Sequence, residues 1–389
     1  MVEVAVVGAG QTPYGDFPDL TIKEMFAAAV REAAGSVDKG FDPGRVGAAY
    51  IGTLGSGGFQ LGQSDVLVAE YAGLPAVPVT RVENACASGG FALYTGALAI
   101  MSGLYDVVVA GGVEKMRDVS ATKNKYWLGV SGDTEYERLA GVTFSGIYAI
   151  MARRYMFEHG VDRKYLSMVA VKNHKHGAMN PKAHIRREIT LEEAMSGAPV
   201  AAPLNVYDCC PTSDGAAAVI LARGDIAREF TVSPVFIKGM GAGADALAIH
   251  DRPDITGLQA VRDAARQAYA AAGVGPDDID LAEVHDCFTI AEIMAYEDLG
   301  FAPRGQAGDL LDRGDTSIGG SIPMNVSGGL KSKGHPLGAT GVGQVCEVFH
   351  QLRGTAESAG RQVKNARLGL THNVGGSGGT ATVFILERR

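Results

Sequence analysis

The chain has 389 residues, 46% hydrophobic and 20% charged, which is enough apolar material for two or three packed units of an ordinary globular protein. A formal net charge of −8 argues against a nucleic-acid binder, whose footprint would be a basic patch or stripe. The five cysteines, Cys86, Cys209, Cys210, Cys287 and Cys346, are too few and too scattered for a disulfide framework, and no C-x-x-C pair points to a zinc site.

The opening MVEVAVVGAG lacks a basic n-region and reads as a strand, not a signal peptide. No apolar run is long enough to span a bilayer. Together with free cysteines, this predicts a soluble protein of a reducing cytoplasm. VVGAGQTPYG (6–15) begins like a dinucleotide fingerprint but places Pro13 at the third glycine position. Proline has no N–H to offer a pyrophosphate, so a plain strand-to-turn is expected and a nicotinamide enzyme disfavoured. IKEMFAAAVREAAG (22–35) has helical periodicity, and GAAYIG (47–52) reads as a second strand.

Cys86 lies in RVENACASGG (81–90). A free cysteine is most often a small buried hydrophobe. The stretch just after it, ASGGFALYTGALAIMSG, is small and apolar on every face, a helix built for deep burial. Cys86 would then sit at its N-terminus, where N–H groups and the helix dipole lower a thiol's pKa and could also hold an oxyanion. DVVVAGG (106–112) reads as the next strand. Residues 117–208 break the pattern: they are richer in charge and histidine (KNHKHGAMNPKAHIRRE), with helical stretches around 143–177. They read as an insertion lying over the first half. The vicinal pair Cys209–Cys210 reads as incidental packing.

The second half offers apolar runs at 216–222, 234–240, 280–286, 366–372 and 380–386, and a helical pattern at 258–273. HDCF (285–288) supplies His285 and Cys287 two residues apart, on one side of an extended chain. GHPLGATG (334–341) puts His335 on a glycine-rich turn before a helix, with Cys346 in mid-helix. An imidazole paired with a reactive thiol is a known activation pattern. THNVGGSGG (371–379) is a turn whose N–H groups could complete an oxyanion hole. Lys331, Lys333, Arg186 and Arg187 could meet an anionic substrate; singly, each reads as a solvated surface charge.

Strands alternating with helices predict an α/β protein with buried, mostly parallel sheets. A weak internal repeat is also present: GAAYIGTLG, NACASGG, a helix and YDVVVAGGVEKM in the first half answer to IDLAEVHDCF, GGLKSKGHPLGATGVGQ, a helix and ARLGLTHNVGGSGG in the second. This predicts an N-terminal half at 1–116 plus 209–232, an insert at 117–208, and a C-terminal half at 233–389.

NACASGG, VVVAGGVEKM, HDCF, NVSGGLKSKGHPLGATG and HNVGGSGG, in this order, resemble the thiolase superfamily over essentially the whole chain. The likeness is to the HDCF branch, which includes sterol-carrier-protein-type and archaeal acetoacetyl-CoA thiolases. It implies duplicated α/β halves of layered helices and mixed sheets with an inserted loop domain. It implies thiolysis of a β-ketoacyl-CoA, or the reverse Claisen condensation, through an acyl-cysteine, with acetoacetyl-CoA as default and a larger branched or aromatic substrate as alternative. Cys86 falls on the nucleophile, His335 on the activating histidine, His285 on a donor to the thioester oxygen, and Cys287 on the second acid/base. Asn373 stands where many thiolases carry their second cysteine. The backbone N–H groups of Cys86 and Gly375 fall on an oxyanion hole, and Asn325, Ser327, Lys331 and Lys333 on the CoA-binding side. The resemblance further implies CoA as substrate and no permanent cofactor or metal. It implies a homodimer or tetramer, with a small zinc-ribbon/OB-fold protein or a hydroxymethylglutaryl-CoA synthase as possible partners. A retro-aldolase, an acyltransferase or a non-catalytic CoA-ester-binding subunit on the same fold are the competing expectations. An intact Cys/His/His/Cys set favours thiolysis.

Overall fold

The computed structural model describes residues 2–58, 61–356 and 358–389. The strands are β1 (Val4–Gln11), β2 (Ala48–Gly52), β3 (Val79–Val82), β4 (Val107–Glu114), β5 (Pro199–Ala201), β6 (Leu204–Asn205), β7 (Gly215–Arg223), β8 (Val235–Ala244), β9 (Leu281–Glu283), β10 (Leu368–Gly375) and β11 (Thr380–Arg388). β5 and β6 form a small ribbon, and the other nine make one sheet in the order β3-β2-β4-β7-β1-β8-β11-β10-β9. The two halves of this sheet meet at a narrow join, where β1 pairs β8 through Ala5–Phe236 and Val6–Val235.

The sheet is mixed, which corrects the expectation of mostly parallel pairing. Parallel pairs are confined to the ends, at β3–β2, β2–β4 and β9–β10. The six strands from β4 through β10 pair antiparallel with one another in succession. The expectation rested on continuous apolar runs such as GAAAVILAR in β7, buried at its first eight positions. Such runs report that both faces are covered, and here helices cover both faces of an antiparallel centre.

The repeat read from the sequence is present in the element order. β1, the helix Ile22–Gly35, β2, the helix Ser88–Met101, β4 and β7 correspond to β8, the helix Gln259–Ala272, β9, the helix Leu337–Arg353, β10 and β11. The outer helix Ile22–Gly35 starts at a capping box between Thr21 and Glu24 and buries Met25, Phe26, Ala29, Val30 and Ala33 against Val7, Val109 and Ile220. The two inner helices, Ser88–Met101 and Leu337–Arg353, pack against each other between the sheet's two ends. Leu93, Ala97 and Ile100 of one meet Val342, Val345 and Phe349 of the other in one core with Val108, Val219 and Leu221. Each of these leucine, isoleucine, valine and phenylalanine side chains contributes about 1.5–3 kcal/mol by burial. A methyl group at Gly112 would overlap the Gly338 carbonyl, and one at Gly89 would sit 2.5 Å from the same oxygen. The inner helices therefore start in backbone contact.

The insert contains the helices Phe144–His159 and Lys164–Ala178, as its pattern predicts. It does not lie over the first half as expected. Tyr148, Met151, Tyr155, Leu166 and Val169 share a core with Ile290, Ile293, Met294 and Tyr296 of the second half. Polar pairs select that side: Lys172 binds Glu292 at 2.5 Å, Asn173 reaches Asp286 at 2.7 Å, and Tyr155 bonds Glu297. The helix Ala121–Gly129 turns back to the first half, against Ser56–Gly58, and the Lys182 carbonyl accepts from the Tyr14 N–H there at 3.0 Å.

Candidate active site

Cys86 sits on a sharp turn between β3 and the inner helix Ser88–Met101. Ala85, just before it, holds a left-handed backbone (φ +50), a conformation that costs a non-glycine residue about 1–3 kcal/mol. Three short hydrogen bonds hold it there. Ser88 Oγ accepts from the Asn84 N–H (2.9 Å) and donates to the Ala85 carbonyl (2.6 Å), and the Ala85 N–H donates to Glu83 (2.7 Å). The thiol faces an apolar pocket of Leu54, Met116 and Leu337, with Leu128 and Val130 of the insert packed on it.

His285 and His335 arrive from the second half, the first after β9 and the second before the helix Leu337–Arg353. Their rings lie 5.1 Å apart, nearly perpendicular (82°). The Cys86 sulfur and one nitrogen from each ring all lie within 4.8 Å of one another. His335 Nδ1 is 2.7 Å from Thr340 Oγ1, whose own proton goes to the Pro336 carbonyl at 3.0 Å. The hydroxyl must therefore accept from His335 Nδ1–H, which leaves Nε2 as a bare lone pair. That Nε2 is buried and has no partner among the described residues, so it is available as a base. A Thr340→Val variant is expected to lower kcat by about ten- to a hundredfold, a fraction of what a general base supplies, with KM little changed. Unchanged kcat would mean that Thr340 does not orient the ring.

Burial sets the charge state of the whole cluster. It pushes the Cys86 thiol well above its ordinary range, against the pull of N–H groups from Gly376 and Cys86 itself. This overturns the expected resting thiolate: desolvation outweighs the donors at the turn. Burial also holds His335 down at about 3 and His285 well below its ordinary value, the latter helped by His335 and His372. The resting site is a neutral thiol beside neutral imidazoles. kcat/KM is accordingly expected to show no imidazole step near pH 6.5, staying flat from about pH 7 to about pH 5. An inflection near 6.5 would show that one of these rings titrates as though exposed.

Cys287 is buried beside the same cluster. Burial raises its pKa, and a charge on Cys86 would raise it further. Tyr148, from the insert, donates to the Gly376 carbonyl (3.2 Å) and stacks on Phe288 with ring centres 4.6 Å apart. The insert thus supplies a side chain to the site, from the stretch 126–156 that the sequence offers as a pocket lining without singling out Tyr148. Cys210 also lies here: its N–H donates to the Cys287 carbonyl at 3.1 Å, next to the Cys209–Phe288 bridge.

The Gly376 N–H acts on the Cys86 sulfur, next to Gly375, the residue expected at the oxyanion hole. Gly375 ends β10, where a methyl group would sit 2.6 Å from the Asn84 carbonyl, so it lets the two turns approach. The four residues expected on the CoA-binding side are buried instead. Lys333 reaches the Gly343 carbonyl (3.3 Å), Asn325 binds Glu292 (2.9 Å), and Ser327 binds Glu283 (2.5 Å). Lys331 is 3% exposed, among Cys209, Cys210, Asp208 and Asp286. None offers its side chain to solvent, because the NVSGGLKSK segment packs under the insert instead of lying on the surface. Arg187 pairs with Glu193 on the surface at 2.6 Å.

Residues 4–225 match the family model "Thiolase, N-terminal domain", and residues 241–388 match "Thiolase C-terminal domain-like". The chain is 47% identical to an acetyl-CoA acetyltransferase of Methanothermobacter thermautotrophicus, over 100% of both chains. It is 42% identical to the acetyl-CoA acetyltransferase of Methanocaldococcus jannaschii, over 100% of this chain and 99% of that one. Among solved structures it is similar to the Ltp2-ChsH2(DUF35) aldolase, with a TM-score of 0.84 and 26% identity, covering 99% of this chain and 97% of that one. Two family models that together cover nearly all of the sequence, and full-length relatives at this identity, make the chain a member of the thiolase family of acyltransferase enzymes.

Proposed function

We propose that this thiolase interconverts acetoacetyl-CoA plus CoA with two molecules of acetyl-CoA, through an acetyl group carried on Cys86. The observation that carries the reading is the convergence of Cys86, His285 and His335 within 4.8 Å, in a pocket that also holds Cys287.

Breaking a C–C bond β to a ketone needs a nucleophile for the ketone and a sink for the departing enolate. The Cys86 sulfur attacks the 3-keto carbon as its proton passes to His335 Nε2. The N–H groups of Cys86 and Gly376 receive the oxyanion, a contribution of about 3–4 kcal/mol per donor to such a charge. The C2–C3 bond then breaks. The enolate oxygen of the leaving acetyl-CoA is held by His285 and the newly protonated His335, and Cys287 protonates C2. In the second half, the Cys287 thiolate takes the proton of CoA, whose sulfur attacks the acetyl-Cys86. The Cys86 sulfur leaves and recovers its proton from His335. CoA is a substrate, and thiolases need no permanent cofactor.

The names of the full-length archaeal relatives support the short substrate, as does the tight apolar wall of Leu54, Met116 and Leu337 beside the sulfur. The likeness to an aldolase with a DUF35 component supports a small zinc-ribbon/OB-fold partner, and we propose a homo-oligomer as the catalytic unit. Among the described residues, no helix is long and apolar enough to cross a membrane; we propose a cytoplasmic location. The test is CoA-dependent loss of acetoacetyl-CoA with purified protein. Turnover that needs CoA supports the reading. Cleavage of a β-hydroxyacyl-CoA without CoA would replace it with an aldolase.

A further inference from the structure

Asn373 cannot shuttle a proton, yet it is almost fully buried between the two halves of the site and makes three bonds. Its Oδ1 accepts from the Gly90 N–H at 3.2 Å, its Nδ2 donates to the Cys86 carbonyl at 3.1 Å, and the same Nδ2 lies 3.1 Å from His285 Nδ1. The first two bonds settle which end of the amide is nitrogen, since an N–H needs an acceptor and a carbonyl needs a donor. An amide nitrogen has hydrogens to give and nothing to accept with. The third contact therefore places an N–H on the lone pair of His285 Nδ1, and the single proton of the neutral ring must be on Nε2. That Nε2 is buried without a partner among the described residues.

We infer that Asn373 is a positioning residue that locks His285 in its Nε2–H tautomer, keeping it an oxyanion donor and preventing it from serving as a metal ligand. The first consequence rests on the role proposed for His285 above; the second does not. Cys86, His285 and His335, all within 4.8 Å, would otherwise make a ready site for a tetrahedral divalent cation. A metal-bound imidazole nitrogen needs its lone pair, and its other nitrogen then donates to a carboxylate or carbonyl. His335 satisfies this rule through Thr340 Oγ1. His285 meets the reverse polarity: binding a cation at Nε2 would put Nδ1–H against the N–H of Asn373. The lock thus keeps an unprotected thiol and two imidazoles from being captured by zinc.

The test begins on the unmodified full-length protein labelled with 15N-histidine. Long-range proton–nitrogen spectra are expected to show His285 protonated at Nε2 with a bare Nδ1; a proton on Nδ1 overturns the lock. Asn373→Asp reverses the polarity, because a carboxylate accepts from Nδ1–H. This variant is expected to lose about a hundredfold or more in kcat/KM for thiolysis. It is also expected to bind Co2+ one to one with a thiolate-to-cobalt charge-transfer band that the unmodified protein lacks at the same metal concentration. An equal band in the unmodified protein, or normal turnover with no band in the variant, overturns the inference. If the aspartate prevents folding, Asn373→Ala serves. Without the amide donor, the His285 signal is expected to divide between tautomers, and an unchanged Nε2–H signal overturns the lock. A protein with the Nε2–H tautomer but no thiolysis would sink the proposed reaction and leave the lock standing.

Discussion

Cys86→Ala is expected to lower CoA-dependent thiolysis by at least about 10⁴-fold, while the protein stays folded. The size comes from covalent chemistry: without the sulfur there is no acyl carrier, and the neighbouring bases have nothing to activate. Retained folding comes from packing. The change removes one sulfur from a wall of Leu54, Met116 and Leu337 and leaves the bonds that hold Ala85 untouched. The cost to stability should be about 1 kcal/mol. Intact mass after incubation with acetyl-CoA gives an independent reading: the unmodified protein should gain one acetyl group and the variant none. Equal activity in the two proteins would remove Cys86 from the mechanism.

Glu114→Ala is expected to be the most destabilising single change near the site, by about 3–5 kcal/mol. The Glu114 carboxylate is buried at the end of β4 and accepts four backbone N–H groups, those of Leu54 (3.0 Å), Gly55 (2.9 Å), Ser56 (2.8 Å) and Gly338 (3.0 Å). Burial raises its pKa while those N–H groups lower it. Removing it leaves the Leu54, Ser56 and Gly338 donors without an acceptor and Gly55 with only Thr53 Oγ1 (3.1 Å), and separates the loop beside Cys86 from the start of the His335 helix. Glu114→Gln keeps one acceptor oxygen but turns an N–H toward donors, so it should fall between the two. Urea midpoints followed by circular dichroism and by activity would measure this, with activity lost first. Variants that unfold within about 1 kcal/mol of the unmodified protein would show that water satisfies those amides.

Much of this arrangement was legible in the sequence because it was carried by short motifs. NACASGG, HDCF and GHPLGATG name Cys86, His285, Cys287 and His335, and the structure brings the first, second and fourth into one cluster. The repeat was legible because each half keeps its own order of apolar runs and glycine turns. What stayed hidden depends on partners distant in sequence. Thr340 looks like one more small residue on a buried helix until His335 folds back on it. Tyr148 lies in an insert whose docking side is chosen by Lys172, Asn173 and Tyr155 finding acids in the second half. Lys331 and Lys333 read as surface charge because a local pattern does not show what packs over it. Glu114 did leave a trace, as a lone acid closing an otherwise apolar strand.

The backbone contact between the starts of the two inner helices limits how this sequence can change over time. Cysteine and base come from different halves, and their meeting requires that Gly89, Gly112 and Gly338 carry no side chains. Random mutagenesis under selection for turnover should therefore leave those three codons untouched. It should freely alter surface positions of the insert such as Phe157, 82% exposed, and Leu139, 77% exposed. New substrate range would come most readily through Leu128 and Val130, where the variable insert reaches the wall of the acyl pocket. The chain thus separates a fixed hinge point of chemistry from a mutable lining, and selection can work on the second without disturbing the first.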